Sequence, residues 1–271
     1  IAVEVLLKFD DSDAQQERRS EFFRWNTSGR HWQRELVSVT EYGAFANFLA
    51  FNQIIYANSS QYCLAPSGRV WKKTGENEDE NVRGEAYPEL WDKFPQSLLK
   101  LLLESKCGPV HQFAVNALII NQSYCEKIAV FDLVRLLEAP YESTLRFAME
   151  VATKRYDPDN PDVELIQALL LANLEQARAV AQTWAGANPQ LLISHPDKLI
   201  HLLFSVHGDT RSWLRGFLTQ SDTSSINVDT FITRIVAQVM DIHDIDPVID
   251  AIIDDITWTL TNVFKEKIEQ I

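Results

Sequence analysis

Two stretches of this chain share one pattern of apolar and polar positions. Ser97–Leu118 reads SLLKLLLESKCGPVHQFAVNAL and Phe131–Ala152 reads FDLVRLLEAPYESTLRFAMEVA. At an offset of 34 residues, Leu99/Leu133, Leu102/Leu136, Leu103/Leu137, Glu104/Glu138, Phe113/Phe147 and Ala114/Ala148 fall in register. Each stretch predicts two amphipathic helices around a break: apolar positions recur at helical spacing, and Gly108-Pro109 or Pro140 interrupts them. The rhythm continues more loosely at 163–186, where Ala179 and Val180 stand near the expected place. It returns at 195–218, with Leu202-Leu203, a Gly208-Asp209 break and Trp213-Leu214. Two final helices are expected near 228–240 and 247–270, the second opening on Pro247 at a first-turn position.

Tandem helix pairs of this period predict a mainly α fold, an α-solenoid of about four to five helix-pair repeats. The expected division is a mixed N-terminal segment, 1–86, capping a helical-repeat domain, 87–271. Within the first segment, residues 1–9 read as a strand or a short helix. Residues 10–25 read as a helix with Asp10–Asp13 near its N-terminus, where the helix dipole favours acids. Residues 42–57 read as the most apolar helix, with aromatics at 42, 45, 48 and 51 forming a core stripe. Residues 61–73 read as a β-hairpin turning at Pro66-Ser67-Gly68, and the acidic stretch 74–85 as a mobile loop. A short turn or helix at 88–94 leads into the first repeat.

Charge narrows the partners. The formal net charge is −13 and the pI about 4.9, which disfavours phosphate backbones. Residues 221–271 alone carry ten acids against three bases. Asp246, Asp250 and Asp254 step by four along one helix face, which predicts either a solvated face or a dock for a basic partner. Arg18, Arg19, Arg24, Arg30 and Arg34 cluster among Phe22, Phe23, Trp25 and Trp32. The glutamates between them favour a salt-bridged solvated helix over an anion-binding face.

Other chemistry is sparse. His195, His201 and His207 are six apart, so on a helix they point about 120° away from one another and make no common ligand face. Asp157, Asp159, Asn160 and Asp162 lack the glycine and the twelfth-position glutamate of a calcium loop. Cys63, Cys107 and Cys125 lack metal-ligand spacing and suggest a reducing, cytoplasmic setting. No phosphate-binding glycine loop, GxSxG, HExxH or CxxC occurs, so no cofactor, metal or catalytic residue is expected. No run of 18 apolar residues is present, and no membrane partner is expected.

The Leu-Leu pairs, the Pro or Gly breaks and the Phe-Ala pairs at 113–114 and 147–148 resemble HEAT and armadillo-type repeats over residues 96–271. Arg146 and Arg211 stand for the basic residue of the second helix. The resemblance implies a non-enzymatic scaffold that binds another protein through its repeat surface. Trp213, Arg211 and Arg215 are the expected anchors, because Trp and Arg dominate hot spots, with Asp246, Asp250 and Asp254 as an acidic dock. Two alternatives are a HEAT-like nucleic-acid binder and a regulatory domain of a larger protein.

Overall fold

The computed structural model describes residues 1–28, 31–75, 83–241 and 247–265. These residues hold fifteen α-helices and one four-stranded antiparallel sheet, so the chain is mainly helical. No helix among them is long and apolar enough to cross a membrane. The chain divides into two compact units, Ile1–Lys127 and Ile128–Ile271.

The first unit opens with helix α1 (Ala2–Leu6) and a short 3-10 turn at Asp11–Asp13. Strands β1 (Arg18–Ser28) and β2 (His31–Tyr42) follow, then helix α2 (Leu49–Tyr56), β3 (Tyr62–Leu64) and β4 (Trp71–Lys73). Helices α3 (Pro88–Lys93), α4 (Pro95–Glu104), α5 (Gly108–Ile119) and α6 (Gln122–Cys125) complete it. The sheet order is β1-β2-β4-β3. Gly68, at φ +67°, makes the left-handed turn of the β3–β4 hairpin, and its N–H donates to Ala65 O at 2.9 Å.

The first helix pair, α4 and α5, is built into the N-terminal segment rather than set apart from it. Asp10 bridges Lys106, Gly108 N–H donates to Asp11 Oδ1 at 2.7 Å, and α1 packs on α4. Leu6, Phe51, Leu98, Leu101, Val110 and Leu118 are fully buried here.

Two expectations for this unit fail. Residues 10–25 are not one helix. The Asp10 carboxylate accepts from Ser12 N at 2.7 Å while Asp13 accepts from Asp10 N at 3.1 Å, a capping box that starts only the 3-10 turn. Ala14 is already extended, Gln15 N–H bonds Ala44 O at 2.9 Å, and the chain enters β1. The expected helix over 42–57 is confined to α2. Buried Asn52 donates to Phe45 O at 2.7 Å and Phe48 O at 2.9 Å, which holds 43–48 as a turn ahead of the helix. The 61–73 hairpin forms as expected, whereas most of the acidic stretch, 76–82, lies outside the described residues.

Among its described residues the second unit holds helices and no strand. It comprises α7 (Val130–Leu137), α8 (Glu142–Arg155), α9 (Val163–Leu171), α10 (Glu175–Ala187), α11 (Pro189–Ile193), α12 (Pro196–Leu203), α13 (Gly208–Gln220), α14 (Val228–Met240) and α15 (Pro247–Asn262). First helices pack on first helices, α7 on α9, α9 on α12 and α12 on α14. Second helices do the same, α10 on α13 and α13 on α15. The Leu pairs 136/137, 169/170 and 202/203 are buried between the layers. In the second helices the buried marker is Ala148, Ala181 and Leu214, so the exposed Ala179 lies off the stripe. The Asp157–Asp162 segment is a turn. Asp157 Oδ1 accepts from Asp159 N at 3.0 Å, and Asp162 caps α9 through Glu164 N at 2.9 Å.

Candidate interaction surfaces

Several exposed apolar residues of the first unit, Phe22, Trp25, Trp32, Leu36, Val37 and Val39, stand on the β1–β2 ribbon. Aromatic and β-branched side chains favour an extended, pleated backbone, and β1 (RRSEFFRWNTS) finds β2 (HWQRELVSVTEY) antiparallel along its whole length. Phe22 faces Ser38 and Phe23 faces Leu36, so Val37 is the extra residue of a bulge in β2. The base is tied down: Arg18 donates to Asn47 Oδ1 at 3.1 Å, and Lys73 on β4 pairs with Glu17 at 3.1 Å. That carboxylate holds the Lys73 ammonium above its ordinary pKa.

Beyond the bulge the ribbon is two-faced. Side chains alternate, and directly opposed residues share a face. Phe23 with Leu36, Trp25 with Arg34, and Thr27 with Trp32 therefore form one face. Arg24 with Glu35 and Asn26 with Gln33 form the other. The Arg34 guanidinium lies 3.6 Å from the centre of the Phe23 ring. Trp25 is 63% exposed and Trp32 70%, and Leu36 is open beside them, whereas Phe22 is open on the opposite face. Trp25, Trp32 and Leu36 thus leave an apolar patch open on this face of the ribbon. The arginines that stand close in sequence sit on strands rather than a helix and do not form one cluster: Arg24 and Arg34 are on opposite faces of the ribbon and Arg18 and Arg19 at its base, while Arg30 lies outside the described residues.

A second apolar feature of this unit is a groove of about 400 Å³ among α1, α2 and α3, lined by Ile54, Tyr87, Leu90, Trp91 and Phe94. Tyr87 caps α3 with φ 53°, the one non-glycine residue at positive φ among the described residues, and its ring is exposed.

The expected anchors of the second unit divide. Arg211 is 5% exposed. It donates from Nε to Asp255 Oδ2 at 2.7 Å and from a terminal nitrogen to Ser205 O at 2.7 Å, so it stitches α13 to α15 and to the preceding turn. Arg215 is half-buried, pairs with Asp255 at 3.0 Å and lies 5.2 Å from the Trp258 ring centre. Trp213 is half-buried and stacks on Phe217. Asp250 and Asp254 are exposed on α15, while Asp246 lies outside the described residues. The structure thus brings Arg211 and Arg215 together on Asp255, not on the aspartates that the sequence singled out.

No protein-family model matches this chain, and no curated protein or solved structure is detectably similar to it. Its chemistry must be read from its own residues.

Sequence reasoning missed Arg178. This buried side chain sits at the fourth position of α10, as Arg211 does in α13, and donates to Ala172 O at 2.9 Å and to Asp209 at 2.8 Å. His111 holds the fourth position of α5 and its Nε2 lies 3.0 Å from Ser105 O. A carbonyl only accepts, so that nitrogen carries the proton. In all three cases the acceptor is six residues earlier, in the turn closing the first helix. The signal was available as the 33-residue step from Arg178 to Arg211. His195, His201 and His207 have unrelated surroundings: Leu191 O, Gln167, and the buried edge of the Arg178–Asp209 pair. Among the described residues no group of three metal-ligating side chains converges.

Proposed function

We propose that the chain is a non-enzymatic interaction scaffold, an α-solenoid resembling HEAT-type repeats, that engages another protein through its β1–β2 ribbon. The observation that carries this reading is the ribbon's aromatic face, with Trp25 and Trp32 largely in solvent on a hairpin rooted in the unit's body. Trp and Arg on a rigid element provide large contact area at low entropic cost. The stacking of α9, α12 and α14 in one row and of α10, α13 and α15 in another supports the solenoid. Cys63, Cys107 and Cys125, none of them in a disulfide, support a reducing, cytoplasmic setting.

The test is a photo-crosslinking amino acid placed at Trp25 in the source cell, beside the same residue at exposed Lys154 on α8. A discrete cross-linked polypeptide from position 25 and none from 154 is the expected result. Cross-links to nucleic acid alone, or equal labelling from both positions, overturn the reading.

A further inference from the structure

We propose that the ribbon captures an acidic, extended polypeptide segment, which adds to the sheet as a fifth strand along β1. The inference rests on the scaffold reading and specifies its partner.

β1 is the outer strand of the order β1-β2-β4-β3 and pairs only with β2 among the described residues. Strand edges left open are normally blunted by short length, proline, a bulge or charged side chains, lysine above all. The eleven residues of β1 contain no proline and no lysine, and the bulge falls on β2 at Val37, so the outer edge of β1 runs regularly from end to end. An open edge of this kind recognises an extended chain through main-chain hydrogen bonds, with side chains setting specificity.

Charge selects the occupant. β1 carries Arg18, Arg19 and Arg24 against Glu21, a positive strand on a chain of net charge −13. An incoming residue lies on the same face as the β1 residue it opposes. An antiparallel guest therefore places an apolar side chain opposite Trp25, an acid opposite Arg24 and an apolar side chain opposite Phe23. The two apolar residues extend the aromatic face, and the acid joins Arg24 on the polar face. Further along, acids oppose Arg19 and Arg18. The motif is apolar–acidic–apolar, with more acids towards its C-terminus.

The test uses the full chain and a fluorescent, end-capped peptide of eight residues, Val-Glu-Val-Thr-Thr-Thr-Glu-Glu, whose acids oppose Arg24, Arg19 and Arg18, read by anisotropy. Saturable, salt-sensitive binding is expected, weakened about tenfold or more by Arg24→Glu and by Trp25→Ser, or about 1.4 kcal/mol per decade. Thermal melts of both variants should match the parent, since both side chains are exposed. Methylating alternate peptide nitrogens should abolish binding, because it removes the ladder while keeping every side chain. Equal binding of the methylated peptide, equal binding of a Lys-for-Glu peptide, no binding at all, or displacement of the peptide by oligo-dT or anionic vesicles would each overturn the proposal. A polypeptide still cross-linked from position 25 after such a failure would leave the scaffold reading standing without the acidic strand.

Discussion

Arg178 Nε lies 2.8 Å from Asp209 Oδ2, and the two residues belong to successive second helices, α10 and α13. The same guanidinium closes the turn before its own helix through Ala172 O. One side chain therefore fixes both the angle within a helix pair and the docking of the next pair. Arg211 repeats the device towards Asp255 on α15.

Breaking these bonds from one side should be costly. Arg211 and Asp255 have side chains 6% and 14% exposed, so removing either leaves a buried charge without its partner. Arg211→Met and Asp255→Asn should each lower stability by about 3 kcal/mol, read as a fall in the urea midpoint. Arg178→Met should cost less, because Asp209 is 44% exposed and water can replace part of the bond.

The ribbon should behave in the opposite way. Trp25→Ser and Trp32→Ser remove large side chains that touch little of the folded body, so unfolding midpoints should change by no more than about 0.5 kcal/mol. Partner capture should be lost. A large loss of stability in either variant would mean that the ribbon is part of the core.

The helical rhythm was legible because each pair repeats its Leu-Leu stripe at a nearly constant step, and burial of Leu136, Leu169 and Leu202 follows that stripe. The ribbon was not. In RRSEFFRW the aromatics are not buried by the chain itself, so no inside-outside alternation marks a strand, and the pairing that makes it one is supplied by β2. Asp10, Asp11 and Asp13 suggest a helix start, but a 3-10 turn uses them up. Arg178 escaped because the third repeat was aligned on Ala179 and Val180, one position off the buried stripe at Ala177, Arg178 and Ala181.

Acid should weaken both units through histidine. Burial lowers the pKa of His111 and, together with the Arg178 guanidinium, that of His207, below the ordinary 6.5. The unfolded chain then binds protons that the folded chain refuses, so stability falls as pH drops below about 6.5 and levels off under the folded values. Asp209 acts in a separate window. Against the cost of its burial, the Arg178 bond lowers its pKa, and the stability it adds is lost only as pH falls below 3.8. Urea midpoints between pH 7.5 and 5 should decline, and the His111→Gln, His207→Gln pair should flatten that decline.

Thiol reactivity should follow exposure. Burial pushes the Cys107 thiol up to about 11, and Cys125 is buried with its Sγ 3.3 Å from Leu118 O, whereas Cys63 on β3 is half-exposed. Only a thiolate is alkylated. Iodoacetamide at pH 8 should label Cys63 first by at least tenfold, with Cys107 labelled only as the first unit opens. Early labelling of Cys107 in a peptide map would show that this unit opens locally well below its global stability.

The aspartates of α15 provide the sharpest contrast within one helix. Asp254 and Asp255 are neighbours in sequence, yet Asp255 is held by Arg211 and Arg215 while Asp254 is exposed, four residues after Asp250 on the same face. Like charges at that spacing repel by a few tenths of a kcal/mol. Asp250→Asn and Asp254→Asn should therefore leave stability unchanged or raise it slightly, while Asp255→Asn lowers it. If the exposed pair docks a basic partner, its double variant should slow association and remove much of its salt dependence while leaving dissociation nearly unchanged. Stopped-flow rates at two ionic strengths separate that outcome from a merely solvated face, for which neither rate would move.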